Sequence, residues 1–198
     1  MLAVTHSSAL SGIEAHPVEI EVNTDLEGEP KLFVVGLPDV SVRESQDRVH
    51  SAIINSGFKT PFTKTIINLA PGDLRKEGPS FDLPIALGIL AATDQLKKQP
   101  PTNWMVAGEL SLSGEMRPIK GALPMAILAK KTGKNVLLLP PHSAEEASIV
   151  EGVSVYSVKS LSHACKLINE EVMAEPLVSN FGEMAENLAN SGLDFEDI

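Results

Sequence analysis

Ser80 stands where a Gly/Pro-rich loop becomes an apolar helix, inside the stretch from Asn68 to Ala92, NLAPGDLRKEGPSFDLPIALGILAA. A serine hydroxyl in that position has two uses. As an N-cap it accepts hydrogen bonds from the free N–H groups of the first helical turn. As a nucleophile it gains from the positive end of the helix dipole, but it still needs a base within hydrogen-bond reach. Pro84 sets the placement: proline is tolerated only in the first turn, so the helix begins between Ser80 and Leu83. The same loop presents the adjacent cations Arg75 and Lys76 between Gly72 and Gly78, where backbone can approach a phosphate. The competing reading is a solvated basic pair balanced by Asp73 and Glu77. Cys165 is the lone cysteine, so it forms no internal disulfide, and a reducing, cytoplasmic setting is expected.

The elements that must position these residues follow from hydrophobic period and punctuation. PVEIEVNTDL alternates Val18, Ile20 and Val22 with Glu19, Glu21 and Asn23, a strand with one wet face. Glu27 to Glu29 turn the chain, and Lys31 to Val35 is expected to pair with that strand as a hairpin. A helix is expected from about Ser41 to Ser56, with Ser41 and Glu44 spaced as a capping box and Gly57 as its stop. On it, Glu44 and Arg48 are placed for an exposed i,i+4 pair. Thr65 to Leu69 is the strand before the central loop, and the helix after Ser80 is apolar nearly all round, which predicts burial against a sheet.

Farther on, strands are expected at Trp104 to Leu110, at Glu115 to Ile119 in an edge position, at Val136 to Leu139 and at Val153 to Val158. A helix near Pro124 runs to Lys131 and is capped by Gly133. Another short helix follows Pro140-Pro141, with Ser143 and Glu146 at capping-box spacing. Leu161, Ala164, Cys165 and Ile168 mark one face of a final helix, which makes Cys165 a small core residue. Alternating strands and helices in one core of Val, Ile, Leu and Ala predict an α/β or α+β domain.

Charge is unevenly placed. The chain has 198 residues and a net charge of −10, and eight of its 26 acids fall in residues 167–198, which hold no Lys or Arg. The remaining body carries 18 acids against 16 bases and is nearly neutral, so charge neither supports nor excludes a polyanion partner. No run reaches the length of a membrane span, and the N-terminus lacks the pattern of a signal peptide. The acidic segment shows no apolar face. It is expected to be a mobile linker beyond about Glu171, which divides the chain into a domain at 1–169 and a linker at 170–198.

The motifs SALSGIEAHPVEIEV, VGLPDVSVRES, NLAPGDLRKEGPSFDLPIALGIL and VAGELSLSGEMRPIKGALPMA occur in this order. Together they resemble the N-terminal domain of the ComM/YifB family of magnesium-chelatase-subunit-I-like AAA+ ATPases, over about nine tenths of the chain. KEGPSFD is also similar to the segment of Lon protease that carries its serine nucleophile, and GELSLSGEMRPIKGAL to the segment that carries its lysine base. The recombination protein RadA has a similar Lon-like domain.

These resemblances imply a mixed sheet with packed helices, like ribosomal protein S5 domain 2 and the Lon proteolytic domain. They place Ser80 on the nucleophile but Leu123 on the lysine, and leucine takes no proton, so the serine is expected to be vestigial. Lys120 lies three residues earlier and would need a different backbone path to serve as base. The family reading implies a non-catalytic domain serving ring assembly and DNA guidance in an ATPase of DNA branch migration during natural transformation. Its partners would be its own AAA+ domain, sister subunits in a homo-hexamer, and DNA through the ring, with no membrane. Arg75 and Lys76 are then the candidate DNA contacts. LDFEDI at the end of the chain is similar to the opening of the AAA+ domain, for which ATP and magnesium are implied. This chain has no G-x-x-x-x-G-K-[ST] loop, so no cofactor is expected here. The alternative reading is a Lon-like serine peptidase using Ser80.

Overall fold

A computed structural model describes residues 1–25 and 27–179. Strand β1 (Leu2–Ser11) and strand β2 (Glu14–Thr24) form a long antiparallel hairpin in register from Leu2 opposite Asn23 to Ser11 opposite Glu14. The inward positions Val18, Ile20 and Val22 are fully buried, as the alternation requires. Strand β3 (Leu32–Val35) is not the hairpin partner of β2. It pairs in parallel with β4 (Thr65–Ala70), which pairs antiparallel with β2, giving the order β1-β2-β4-β3. The reason is the helix between β3 and β4: a strand, a crossover helix and a return strand favour parallel pairing, whereas residues 2–11 reach β2 through a tight turn.

That crossover is α1 (Val40–Asn55), and its cap is Asp39 rather than Ser41: the Asp39 carboxylate accepts from the Val42 N–H at 2.7 Å. Asp39 is in the extended backbone conformation that a cap needs, one residue ahead of a helix that already includes Ser41. Helix α2 (Asp82–Ala92) has all eleven residues buried. It packs on β1 and β2 and against α1. A Cβ built on Gly88 would lie 2.6 Å from Val22 Cγ2, so glycine lets the helix axis approach the sheet this closely.

The second half carries a parallel sheet of β5 (Trp104–Val106), β8 (Val136–Leu139) and β9 (Ser154–Ser157), in the order β5-β8-β9. The expected strand from Trp104 to Leu110 is split. Its end is a separate strand, β6 (Glu109–Leu110), paired antiparallel with β7 (Met116–Arg117). Helices α3 (Ala122–Lys131), α4 (Pro141–Ala147) and α5 (Leu161–Ile168) cover this half. The Ser143–Glu146 spacing is no capping box. The Ser143 hydroxyl bonds both backbone groups of Ile119, and Glu146 accepts from the Leu123 N–H at 3.0 Å, so α4 caps α3. Cys165 is core, and burial pushes its thiol up to about 12.

The first part of the acidic segment has more apolar contact than its sequence implies. Val172 and Ala174 pack against the core, and the Leu177 N–H donates to the Val155 carbonyl at 2.8 Å. The expectation of mobility from Glu171 onward is corrected for these residues, and LDFEDI lies outside the described ones. Among the described residues no helix is long and apolar enough to cross a membrane.

Candidate functional site

The central loop is tied down by the turn before α1. The Asp39 N–H donates to the Lys76 carbonyl at 3.0 Å and the Lys76 N–H to the Leu37 carbonyl at 3.1 Å. The second Asp39 carboxylate oxygen accepts from the Gly78 N–H at 3.2 Å. This pinning overturns the reading of Lys76 as a DNA contact: its side chain is fully buried and its ammonium donates to the Pro71 carbonyl. Burial holds its pKa below the ordinary lysine value, with Asp73 opposing. Two adjacent cations in a polar loop look equally wet in sequence, but folding the loop onto the Gly36–Asp39 turn carries one of them inward. Arg75 remains on the surface, 3.2 Å from Glu77.

Ser80 sits in a 3-10 turn (Pro79–Phe81) directly before α2. It does not cap the helix. Phe81 occupies the cap position with helical backbone and no side-chain cap bond, because the chain is already wound through Pro79–Phe81 when α2 begins. Backbone bonds hold the junction instead: the Gly108 N–H donates to the Ser80 carbonyl at 2.9 Å and the Leu83 N–H to the Gly108 carbonyl at 3.0 Å.

Ser80 lines a groove of about 570 Å³ with Ser8, Asp39, Glu109, Lys120 and Met125. Leu123 lies in the first turn of α3, half-buried, and is not part of its lining. Ser80 and Lys120, 40 positions apart in the chain, therefore line one groove. Among the described residues no group of three His, Cys, Asp or Glu side chains is placed to hold a metal ion.

A polar centre at the start of α2 is absent from the sequence reading. Arg48 does not pair with Glu44. Its Nε donates to one Asp82 carboxylate oxygen at 2.8 Å and its terminal nitrogen to the other at 3.1 Å, across 34 residues. The terminal nitrogen also donates to the Ser41 carbonyl, and Asp82, fully buried, accepts from the Leu110 N–H at 3.1 Å. One carboxylate thus joins α1, the start of α2 and β6. The available signal was an acid two residues before a proline at a helix start, which reads equally well as a first-turn residue favoured by the helix dipole.

The two partners are pushed in the same direction by opposing causes. Burial pushes the Asp82 carboxyl up to about 6, outweighing the hydrogen bonds from Arg48 and Leu110. The hydrogen bond to Asp82 raises the Arg48 guanidinium. A carboxyl whose folded pKa lies above its unfolded value binds protons more tightly when folded. Its contribution to stability is complete below the unfolded value and is lost as pH rises through about 6. Asp82→Asn is expected to remove a decline of about 2 kcal/mol between pH 4 and pH 6.5, read as the difference between wild-type and variant urea-unfolding curves across that window. Parallel pH profiles would contradict it.

A mixed α/β domain with a serine at a loop-to-helix junction and a lysine across a groove is the class that the fold and site define. The family model described as subunit ChlI of Mg-chelatase matches residues 18–143, and the chain belongs to that family. It is 40% identical over 198 residues to Competence protein ComM of Haemophilus influenzae, covering all of this chain and 38% of that protein. It is 38% identical over 180 residues to Uncharacterized protein YifB of Salmonella typhimurium, covering 90% of this chain and 35% of that protein. Lon protease 2 of Bacillus subtilis is a more distant relative, 27% identical over 135 residues, with 67% of this chain and 23% of the protease covered. The distant likeness is consistent with the mixed sheets and five helices seen here. The chain spans less than two fifths of the length of the curated relatives it matches.

Proposed function

We propose that this chain is the non-catalytic N-terminal domain of a ComM-like AAA+ ATPase that migrates DNA branches during natural transformation. In this reading residues 1–169 serve ring assembly and DNA guidance, and residues 170–198 lead toward the motor. The motor would supply the ATP and magnesium chemistry in a cytoplasmic homo-hexamer. The observation that carries the reading is the 40% identity to ComM along the whole chain, with Leu123 where the Lon-like resemblance requires lysine.

The isolated chain is expected to bind DNA weakly. Arg75 is paired with Glu77, Lys76 is buried, and the acidic segment competes for any basic patch. A ring repeats a weak site and raises the effective concentration of each further contact. Single- and double-stranded DNA titrated at low salt against the chain, and against a version cut after Asn169, tests this. Micromolar or tighter binding by the uncut monomer would overturn it, and binding that emerges only after the cut would support the competing tail.

The second reading, a serine peptidase, is favoured by Ser80 and Lys120 lining one groove. The expected outcome with a serine-directed acylating reagent is no labelling. Labelling of the wild type that Ser80→Ala abolishes would restore the peptidase.

A further inference from the structure

We propose that two copies of this chain associate about a two-fold axis through the open edge of β3, which pairs antiparallel with itself. Elsewhere the chain covers its own strand edges. β5 lies against β1, and the Leu177 N–H donates to the Val155 carbonyl on the outer side of β9. The β6–β7 ribbon is closed by the Asp82 carboxylate at the Leu110 N–H and by the Lys159 carbonyl at the Met116 N–H. β3 pairs with β4 alone. An uncovered edge is a template for a further strand.

The phase of the β3–β4 ladder fixes which groups are open. The Thr65 N–H donates to the Lys31 carbonyl at 2.8 Å, and Leu32 lies opposite Thr65, so the backbone groups of Lys31, Phe33 and Val35 turn toward β4. The N–H and C=O groups of Leu32 and Val34 turn outward and have no partner among the described residues. A groove of about 480 Å³ opens beside them, lined by Lys31, Leu32, Asp47, His50 and Phe62. One antiparallel register engages all four groups: Leu32 opposite Val34 of the second copy, and Val34 opposite its Leu32. Both are hydrogen-bonded pairs. Phe33 then meets Phe33 of the second copy on the axis, at a non-hydrogen-bonded position where cross-strand side chains come closest. Phe33 is 44% exposed and Val35 45%, on the face turned away from the core, so the pairing covers an aromatic ring that the monomer leaves wet.

Charge on α1 favours a second copy over an unrelated strand. Asp47 lines the groove beside Leu32, and Arg43 lies one helical turn earlier on the same face, about 6 Å along the axis. As the crossover between parallel strands, α1 runs back against β3, so that turn matches the step of about 6.6 Å from Leu32 to Val34. The register therefore sets Asp47 of each copy toward Arg43 of the other. Both residues are exposed and have no ion-pair partner among the described residues. A four-residue strand with one aromatic pair buries less than the roughly 1,600 Å² of a standard interface, so the dimer is weak and reversible.

The inference does not rest on the ring reading: a two-fold contact pairs like surfaces and stops at two, whereas a ring is built head to tail. Sedimentation of the 198-residue chain at low salt, from about 10 µM to about 1 mM, tests it, with a dissociation constant of about 100 µM expected. Phe33→Asp is expected to raise that constant more than about tenfold, and Arg43→Glu about fivefold by setting acid against Asp47 at both contacts. Combining Arg43→Glu with Asp47→Arg restores opposite charges and should return the constant to within about twofold of the wild type. These positions are exposed, so thermal midpoints should stay near the wild type and separate association from folding. A chain still monomeric at about 1 mM, association indifferent to Phe33→Asp, or a charge swap that fails to recover it overturns the proposal and leaves the ring reading to the DNA titrations. Growth past the dimer overturns the two-fold contact in favour of head-to-tail assembly.

Discussion

Arg48→Ala is expected to destabilise the domain by about 3–5 kcal/mol, the range for removing one partner of a buried ion pair. The Asp82 carboxylate would remain fully buried with only the Leu110 N–H to satisfy it. Arg48→Lys should recover little, since a point-charge ammonium does not reproduce the two-pronged geometry of Nε and the terminal nitrogen on the two oxygens. The double variant Arg48→Met with Asp82→Leu should recover most but not all of the loss. It removes both charges, yet leaves the Leu110 N–H buried without its acceptor, at about 1–3 kcal/mol. Urea unfolding at pH 7.5, above the Asp82 titration, gives the three values. A cost below about 1 kcal/mol for Arg48→Ala would show that the pair behaves as a surface contact.

Gly36→Ala is expected to cost about 3 kcal/mol or more, or to prevent folding. Gly36 follows β3 with φ at +95°, a conformation that L side chains rarely adopt, and a Cβ there would lie 2.1 Å from the Leu69 carbonyl oxygen. The obstacle is backbone of the central strand β4, which cannot swing aside as a side chain would. Gly57→Ala is the control. Its φ is +85°, but nothing lies within 4 Å of a built Cβ, so only the conformational term of about 1 kcal/mol applies. Denaturation midpoints for the two variants should therefore differ widely. Equal shifts would mean that β3 and β4 separate easily, and that the loop carrying Ser80 is less firmly anchored than its bonds to the Gly36–Asp39 turn imply.

Local pattern carried far in this chain because it reflects local physics. The unbroken apolarity of Leu83 to Ala92 admits only a buried helix, Pro84 admits only its first turn, and the spacing of Leu161, Ala164, Cys165 and Ile168 admits only one inward face. The order of motifs likewise marked the family.

What tertiary structure alone decided is where polar residues go, since an isolated charge has no period. Arg48 has an acid four residues before it and another 34 residues after it, and only the packing of α1 on α2 selects Asp82. Lys76 and Arg75 are neighbours of the same type, separated into buried and exposed by the backbone ladder between residues 37–39 and Lys76. The partner of β3 depended on the crossover rather than on its own residues. Ser8, Ser80 and Lys120 became one groove because a hairpin, a loop-to-helix junction and the lead into α3 converge, a long-range closure to which no window of sequence refers.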